Sequence, residues 1–215
     1  MNTQLKPSPW QLNGKGYIIL YHFSRKSLST IQPTIHDNLI AQPGIGGMMI
    51  VDYQHSDIGS YQELLLIPGL VRHQNQKYRT ITNIYVSTEV SIINGIRNWG
   101  IPKQLAHFRM INESKYSSFS VSTNDHCFFK ASLKPYGPSF PISTRLVPLQ
   151  LVQSRHGRLL ETTPTGKGVA RLARLDSIWI DAHYFPNISH IKPLLALEIS
   201  NFAIRFPDAN ILSDD

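Results

Sequence analysis

The sequence predicts a mainly β protein of α+β character: a curved, closed, cone- or barrel-like antiparallel sheet around a cavity, with one or two short helices. Three observations predict it. A long series of segments rich in β-branched and aromatic residues lies between Gly, Pro, Asn and Asp breakers. Several of these segments alternate, as strands with two distinct faces do. Helical spacing occurs in one stretch, between residues 88 and 100.

The strands are taken in order. "GYIILYHF" opens the series, followed by "GGMMIVDYQ", "SYQELLLIPG" and "YRTITNIYVS". In "TITNIYVS", Ile81, Asn83, Tyr85 and Ser87 fall on one face and Thr82, Ile84 and Val86 on the other. The helix comes next. Thr88 suits its cap and Glu89 its positive end; Val90, Ile93 and Arg97 follow at helical spacing, and Gly100 then Pro102 stop it. Lys103 is then expected on a turn leading into a strand from Leu105 to Ile111. "SSFSVST", "HCFFKASL" and "LEISNFAIRFP" complete the strands. "VARLARLDSIWIDAHYF" joins them despite mixing periods: Val169, Leu172 and Leu175 recur every three residues, whereas Ile178 and Ile180 alternate. The Pro-rich "KPYGPSFPIS" reads as a surface loop. "QPGIGGMM" and "TPTGKGVA" read as turns, since neither has the glycine spacing of a dinucleotide or phosphate loop.

Length and composition set the frame. A chain of 215 residues, 41% hydrophobic, can bury one sizeable core, and residues 1–215 are read as one domain. Neither an apolar run long enough for a membrane span nor a secretory apolar region is present, so a cytoplasmic protein without a membrane partner is expected. Cys127 is the only cysteine, which excludes an intrachain disulfide and a multi-cysteine zinc site. It lies in a strand pattern and is expected as a packed thiol. The nine histidines show no tight ligand spacing, so no metal or other cofactor is expected. The net charge of +7 is dispersed, and no zinc-finger or RNA-binding signature accompanies it. No nucleic-acid partner is expected.

"NGIRNWGIPKQLAHF" carries the chemistry. It sets Lys103 among Trp99, Ile101, Pro102 and Leu105, although lysine is among the residues least often buried. An amine attacks a carbonyl only when deprotonated, and removal from water favours that form. The free amine can condense with a ketone to an imine. The protonated imine then draws electrons from the adjacent carbon, where a bond to a carboxylate, proton or acyl carbon can break. From the fragment alone, a lysine that caps helix carbonyls or reaches to solvent is the favoured reading.

These residues resemble the acetoacetate decarboxylase-like family. The similarity rests on "NGIRNWGIPKQLA", on "HSDIGSYQELLLIPG" with its Gly-x-Tyr-x-Glu pattern, on the lead-in "NIYVSTEVSIINGIRNWG" and, more loosely, on "LNGKGYIILYHF". The resemblance implies a cone-like closed sheet, usually in a homo-oligomer. It implies that Lys103 is the imine-forming lysine and that Glu63 is an active-site carboxylate that orients substrate or shuttles a proton. Lys15 stands where the family has an arginine and is a candidate for binding a substrate carboxylate. Tyr61, Arg97, Trp99 and Gln104, within or beside the matching motifs, are further substrate-binding candidates. Two departures stand out. Gln104 replaces a second lysine, and Met48 occupies the place of a second carboxylate, with Asp52 four residues further on. The resemblance therefore implies a lyase that forms a Schiff base with a small oxo-acid or related carbonyl compound. Two alternatives stay open: an aldolase-dehydratase or hydrolase-like reaction at the same lysine, and a non-catalytic β-barrel that binds a small molecule.

Overall fold

The computed structural model describes residues 5–29, 31, 39–113, 116–145 and 149–212. Along the chain the elements are β1 (Trp10–Phe23), α1 (Arg25–Ser29), β2 (Ile40–Gln42), β3 (Gly44–Ser56), β4 (Tyr61–Ile67), β5 (Leu70–His73), β6 (Gln76–Tyr78), β7 (Asn83–Val86) and α2 (Glu89–Trp99). There follow β8 (Lys103–Leu105), β9 (His107–Asn112), β10 (Ser117–Thr123), β11 (His126–Ser143), β12 (Leu151–Arg155), β13 (Arg158–Thr162), β14 (Thr165–Ile180), β15 (Leu195–Phe206) and β16 (Asn210–Ile211).

Ten strands form one sheet in the order β8-β7-β4-β3-β1-β15-β14-β11-β10-β9. Its ladders are antiparallel except for β7 with β8. The two outermost strands, β8 and β9, are separated in the chain only by Ala106, whose N–H donates to the Val86 carbonyl. The chain thus steps from one edge of the sheet directly to the other, and the sheet is nearly closed. Rings meet across the enclosed space: Tyr85 of β7 and Phe128 of β11 lie 4.6 Å apart. Tyr17 of β1 donates to Ser117 of β10 at 2.9 Å.

Strand alternation sorts the apolar residues into two cores. Tyr17, Ile19, Met48, Ile50, Leu64, Leu66 and Tyr85 face the enclosed side, where they meet Phe119, Val121, Phe128 and Leu133. Residues one position along the same strands, Val51, Tyr53, Tyr61, Leu65, Ile84 and Val86, face outward. They are covered by Trp99 and Ile92 of α2, Ile101, Ile81 and Leu151. The two three-stranded sheets, β12-β13-β16 and β2-β5-β6, share a small core of their own, with Val71, Tyr78, Val152 and Leu159. Arg79 ties them together: its N–H donates to Gln150 and its carbonyl accepts from Val152. That link holds Leu149 and Leu151 over the outer core.

Several segments differ from the sequence reading. "KPYGPSFPIS" is the distal half of β11, not a loop. Among the described residues, β10 pairs with β11 only as far as Leu133, and beyond it one side of β11 has no strand partner. Proline costs no ladder bond there and discourages pairing with another strand. "GKGV" and "GIGG" likewise belong to strands, held in ladders with β15 and β1. The three-residue recurrence in "VARLARL" reflects register shifts near Val169 and beside Leu175, which offset the period of two. β7 starts at Asn83, so Ile81 escapes its alternation and joins Ile84 and Val86 in the outer core. Cys127 is a half-buried thiol on β11.

Candidate active site

α2 is built to bring a lysine close. Thr88 has the extended backbone of a cap residue, although its hydroxyl makes no capping bond. At the other end Gly100 adopts φ 69°, a left-handed conformation that glycine enters without penalty. Its N–H donates to Ile96 at 2.9 Å, and the Ile101 N–H reaches Gly95 at 3.3 Å. This turn sends the chain back along the helix, so that Lys103 begins β8 rather than sitting on a free turn. The face that packs inward is not the one marked by Val90, Ile93 and Arg97. It consists of Ser91, Asn94, Gly95 and Trp99, while Ile93 and Ile96 are exposed. Small residues explain the choice. A Cβ on Gly95 would lie 2.8 Å from both Cδ and Cε of Lys103, so glycine leaves the groove in which the lysine stem lies.

The Lys103 amine is dry but well partnered. Its side chain is 4% exposed, and that of Glu63 5%. Nζ donates to Glu63 Oε2 at 3.1 Å and to Ser91 Oγ at 2.9 Å. It also lies 5.1 Å from the centre of the Tyr61 ring. The second carboxylate oxygen, Glu63 Oε1, accepts from the Tyr53 hydroxyl at 3.2 Å. Ser91 is hydrogen-bonded in turn to Tyr61. Burial first, then the Glu63 charge, pushes the Tyr53 and Tyr61 hydroxyls well above the usual tyrosine range. Both phenols therefore stay protonated and can serve as donors. The expected apolar niche thus holds the expected carboxylate directly against the amine.

A cavity of about 80 Å³ opens beside this cluster. Besides Lys103, Glu63, Tyr53 and Tyr61, its walls are apolar, from Leu12, Met49, Leu65, Ile84, Leu151 and Phe206 among others. Trp99 is a wall residue whose indole N–H is spent on the Pro207 carbonyl at 2.7 Å. Its ring meets Trp10 edge-on at 4.9 Å. A far larger groove of about 690 Å³, lined by Gln11, Pro141, Arg145, Lys167 and Arg205 among others, holds none of these groups.

Of the residues singled out from sequence, the fold brings together Lys103, Glu63, Tyr61 and Trp99. Lys15 does not join them. It pairs with Asp52, whose carboxylate accepts from Gln62, on the sheet face opposite Glu63. Met48 is fully buried in the enclosed core, also away from the cavity. Arg97 and Gln104 are exposed and line no part of the cavity. Ser91 and Tyr53 were missed. Ser91 was legible in principle, because it lies four residues before Gly95 and therefore on the same helical face. Tyr53 required the register, which sets it opposite Tyr61. Among the described residues, no group of three or more His, Cys, Asp or Glu is arranged to hold a metal ion, and no helix is long and apolar enough to cross a membrane.

Comparison with known proteins agrees with this architecture. Among curated proteins, none matches the chain in sequence. An acetoacetate decarboxylase structure from Legionella pneumophila superposes with a TM-score of 0.76 at 15% identity, covering 99% of this chain and 90% of that one. The enduracididine biosynthesis enzyme MppR complexed with pyruvate gives 0.68 at 14% identity, covering 99% and 93%. An acetoacetate decarboxylase-like enzyme from Sphingomonas wittichii gives 0.68 at 11% identity, covering 97% and 94%. At such identities the likeness speaks for the fold. The acetoacetate decarboxylase profile itself matches residues 2–171. With that match spanning most of its length, the chain belongs to the acetoacetate decarboxylase family.

Proposed function

We propose that the protein is an enzyme that binds a small carbonyl compound as an imine on Lys103 and makes or breaks a carbon–carbon bond beside it. One observation carries this reading: a buried lysine amine 3.1 Å from a buried carboxylate, at the wall of an apolar cavity. Glu63 is positioned to take the ammonium proton when a carbonyl arrives. The amine then attacks the carbonyl carbon, and the oxygen leaves as water. Glu63 is also the group that moves protons at the adjacent carbon. Ser91 and the Tyr61 ring hold Nζ in place, and Tyr53 orients the carboxylate. A lysine lying on a protein surface would have none of these restraints.

Two reactions follow from the same imine. Loss of carbon dioxide from an oxo-acid is one. Aldol-type condensation, cleavage or dehydration without such loss is the other. The second is favoured by the placement of Lys15 and Arg97, which leaves the cavity without the cation that a substrate carboxylate would seek. MppR, of the same fold, is seen complexed with pyruvate and with the condensation product of pyruvate and an aldehyde, which supports carbon–carbon chemistry without loss of carbon dioxide as the second reading.

Borohydride reduction in the presence of a panel of ketones, aldehydes and oxo-acids tests the reading. An irreversible mass increase mapped to Lys103 is expected, and it should be absent from Lys103→Ala. If no member of the panel labels Lys103, while Lys103→Ala binds the same compounds as well as the parent, the protein is a binding barrel and the imine reading fails.

A further inference from the structure

We infer that Tyr61 is a further catalytic residue: its hydroxyl protonates the departing carbonyl oxygen, and Ser91 relays to it the protons that leave the Lys103 amine. This rests on the imine reading above and adds to it the route by which the oxygen is lost as water. Three groups stand in line. Nζ donates to Ser91 Oγ at 2.9 Å. The Ser91 hydroxyl donates in turn to the Tyr61 oxygen. Tyr61 lines the cavity, with its ring centre 5.1 Å from Nζ. The line has no end within the protein: among the described residues, nothing accepts the Tyr61 hydroxyl hydrogen.

Tyr53 differs in this respect. It lies in the same wall and spends its hydroxyl on Glu63 Oε1 at 3.2 Å. Tyr61 is 3% exposed, so bulk water does not satisfy its donor. A buried donor without an acceptor is costly and calls for an oxygen on a bound molecule. Both oxygens of Glu63 are engaged, at Nζ and at Tyr53. That holds the carboxylate at the nitrogen and leaves the substrate oxygen to another donor. Burial and the Glu63 charge keep the Tyr61 hydroxyl protonated well beyond the ordinary tyrosine range, so it enters the reaction as a donor.

An ammonium carries three protons, and this arrangement accounts for each. Glu63 takes the first when the carbonyl arrives, and the free amine attacks the carbonyl carbon. The second passes from nitrogen to Ser91 while the Ser91 proton passes to Tyr61 and the Tyr61 proton to the oxygen, giving a neutral carbinolamine. The third follows the same path. The C–O bond breaks, water departs, and the electron pair of the N–H bond closes the C=N bond. Glu63 then returns the first proton to nitrogen, which leaves a protonated imine beside a carboxylate. Ser91 and Tyr61 end as they began, and no oxidant or reductant is consumed.

Acetone and pyruvate in isotopically labelled water test the inference on the intact protein. Exchange of the carbonyl oxygen above the uncatalysed rate reports imine formation and hydrolysis, whatever reaction follows. Tyr61→Phe and Ser91→Ala should each slow that exchange by about tenfold or more. The double variant should be no slower than the slower single one, because the two groups act as one relay. Ser91→Thr should restore most of the rate. The fraction of Lys103 labelled by a brief borohydride pulse after equilibration should match the parent in every variant, because a proton relay changes the rate in both directions and not the balance. Exchange within about twofold of the parent in both single variants, penalties that multiply in the double variant, or a lowered labelled fraction that accounts for the slower exchange would each overturn the inference and leave the imine reading standing. If the parent exchanges oxygen with neither compound, the inference falls, and labelling of Lys103 across the carbonyl panel decides whether the imine reading falls with it.

Discussion

The two faces of β3 and β4 make the most instructive comparison in the molecule. On the enclosed face Met48, Ile50, Leu64 and Leu66 are almost wholly shielded from solvent and pack in one apolar cluster. On the outer face, one residue along, stand Val51, Tyr53, Tyr61, Glu63 and Leu65. The same backbone carries both. Even-numbered positions close a core, and odd-numbered positions hold an ion pair beside a cavity. A period of two lets one strand serve stability and chemistry at once, because neither set of side chains can reach the other's side. The separation also means that the two roles should respond independently to substitution.

The largest effect should come from breaking the outer face alone. Lys103→Met should abolish imine trapping and lower turnover by about a thousandfold or more. It should also destabilise the fold by about 3–5 kcal/mol, because Glu63 is left buried and unpaired. Denaturant titration of Lys103→Met with Glu63→Leu should recover most of that loss. If the double variant is no more stable than the single one, the ion pair is not the cost the outer face carries. On the enclosed face, Leu66→Ala should cost about 2–5 kcal/mol by leaving a hole in a sealed core. Borohydride labelling per folded molecule should stay within about twofold of the parent; a collapse of labelling would show that the faces are coupled.

A third substitution separates stability from positioning within α2. Gly95→Ala should raise helix propensity by about 1 kcal/mol, yet its Cβ must displace the Lys103 stem. Labelling is expected to slow by about tenfold, because reacting groups tolerate little misplacement, without a large drop in the unfolding midpoint. The smallest and most gradual effect is the response to alkali. Tyr53 and Tyr61 are raised well above the ordinary value of 10.0, and burial pushes Tyr17 up to about 12. The unfolded chain releases these protons near pH 10 while the folded one keeps them. Their contribution is therefore complete below about pH 10 and is lost as pH rises beyond it. Denaturant midpoints measured on both sides of that value should fall on the alkaline side. Tyr53→Phe should flatten the decline.

How much of this was legible depended on whether the information was local. The helix stop at Gly100 was legible because a left-handed turn marks its own residue, and the strands were legible because alternation is a nearest-neighbour pattern. Lys103 and Glu63 were legible through their motifs. Lys15 was chosen because it stands where the family has an arginine and Arg97 because it lies within a matching motif, and the fold separated both from the cavity. Alternation along β1 puts Lys15 with Tyr17 and Ile19 on the opposite face, and the outward side of α2 carries Arg97 away. Tyr53 and Ser91 were overlooked for the converse reason. Forty residues separate Glu63 from Lys103 and twelve separate Ser91 from it, so only the packed structure makes them neighbours.

By itself, the sequence determined most strands of the ten-stranded sheet, the helix with its stop, and the placing of a lysine directly after that stop, since each follows from backbone preferences acting over a few residues. The tertiary structure alone decided which face of each strand is enclosed, which charges meet, and that the cavity lies on the outer side of the barrel. Those are matters of register and closure, set by ladders between strands far apart in the chain, and a shift of one residue would have exchanged the two faces.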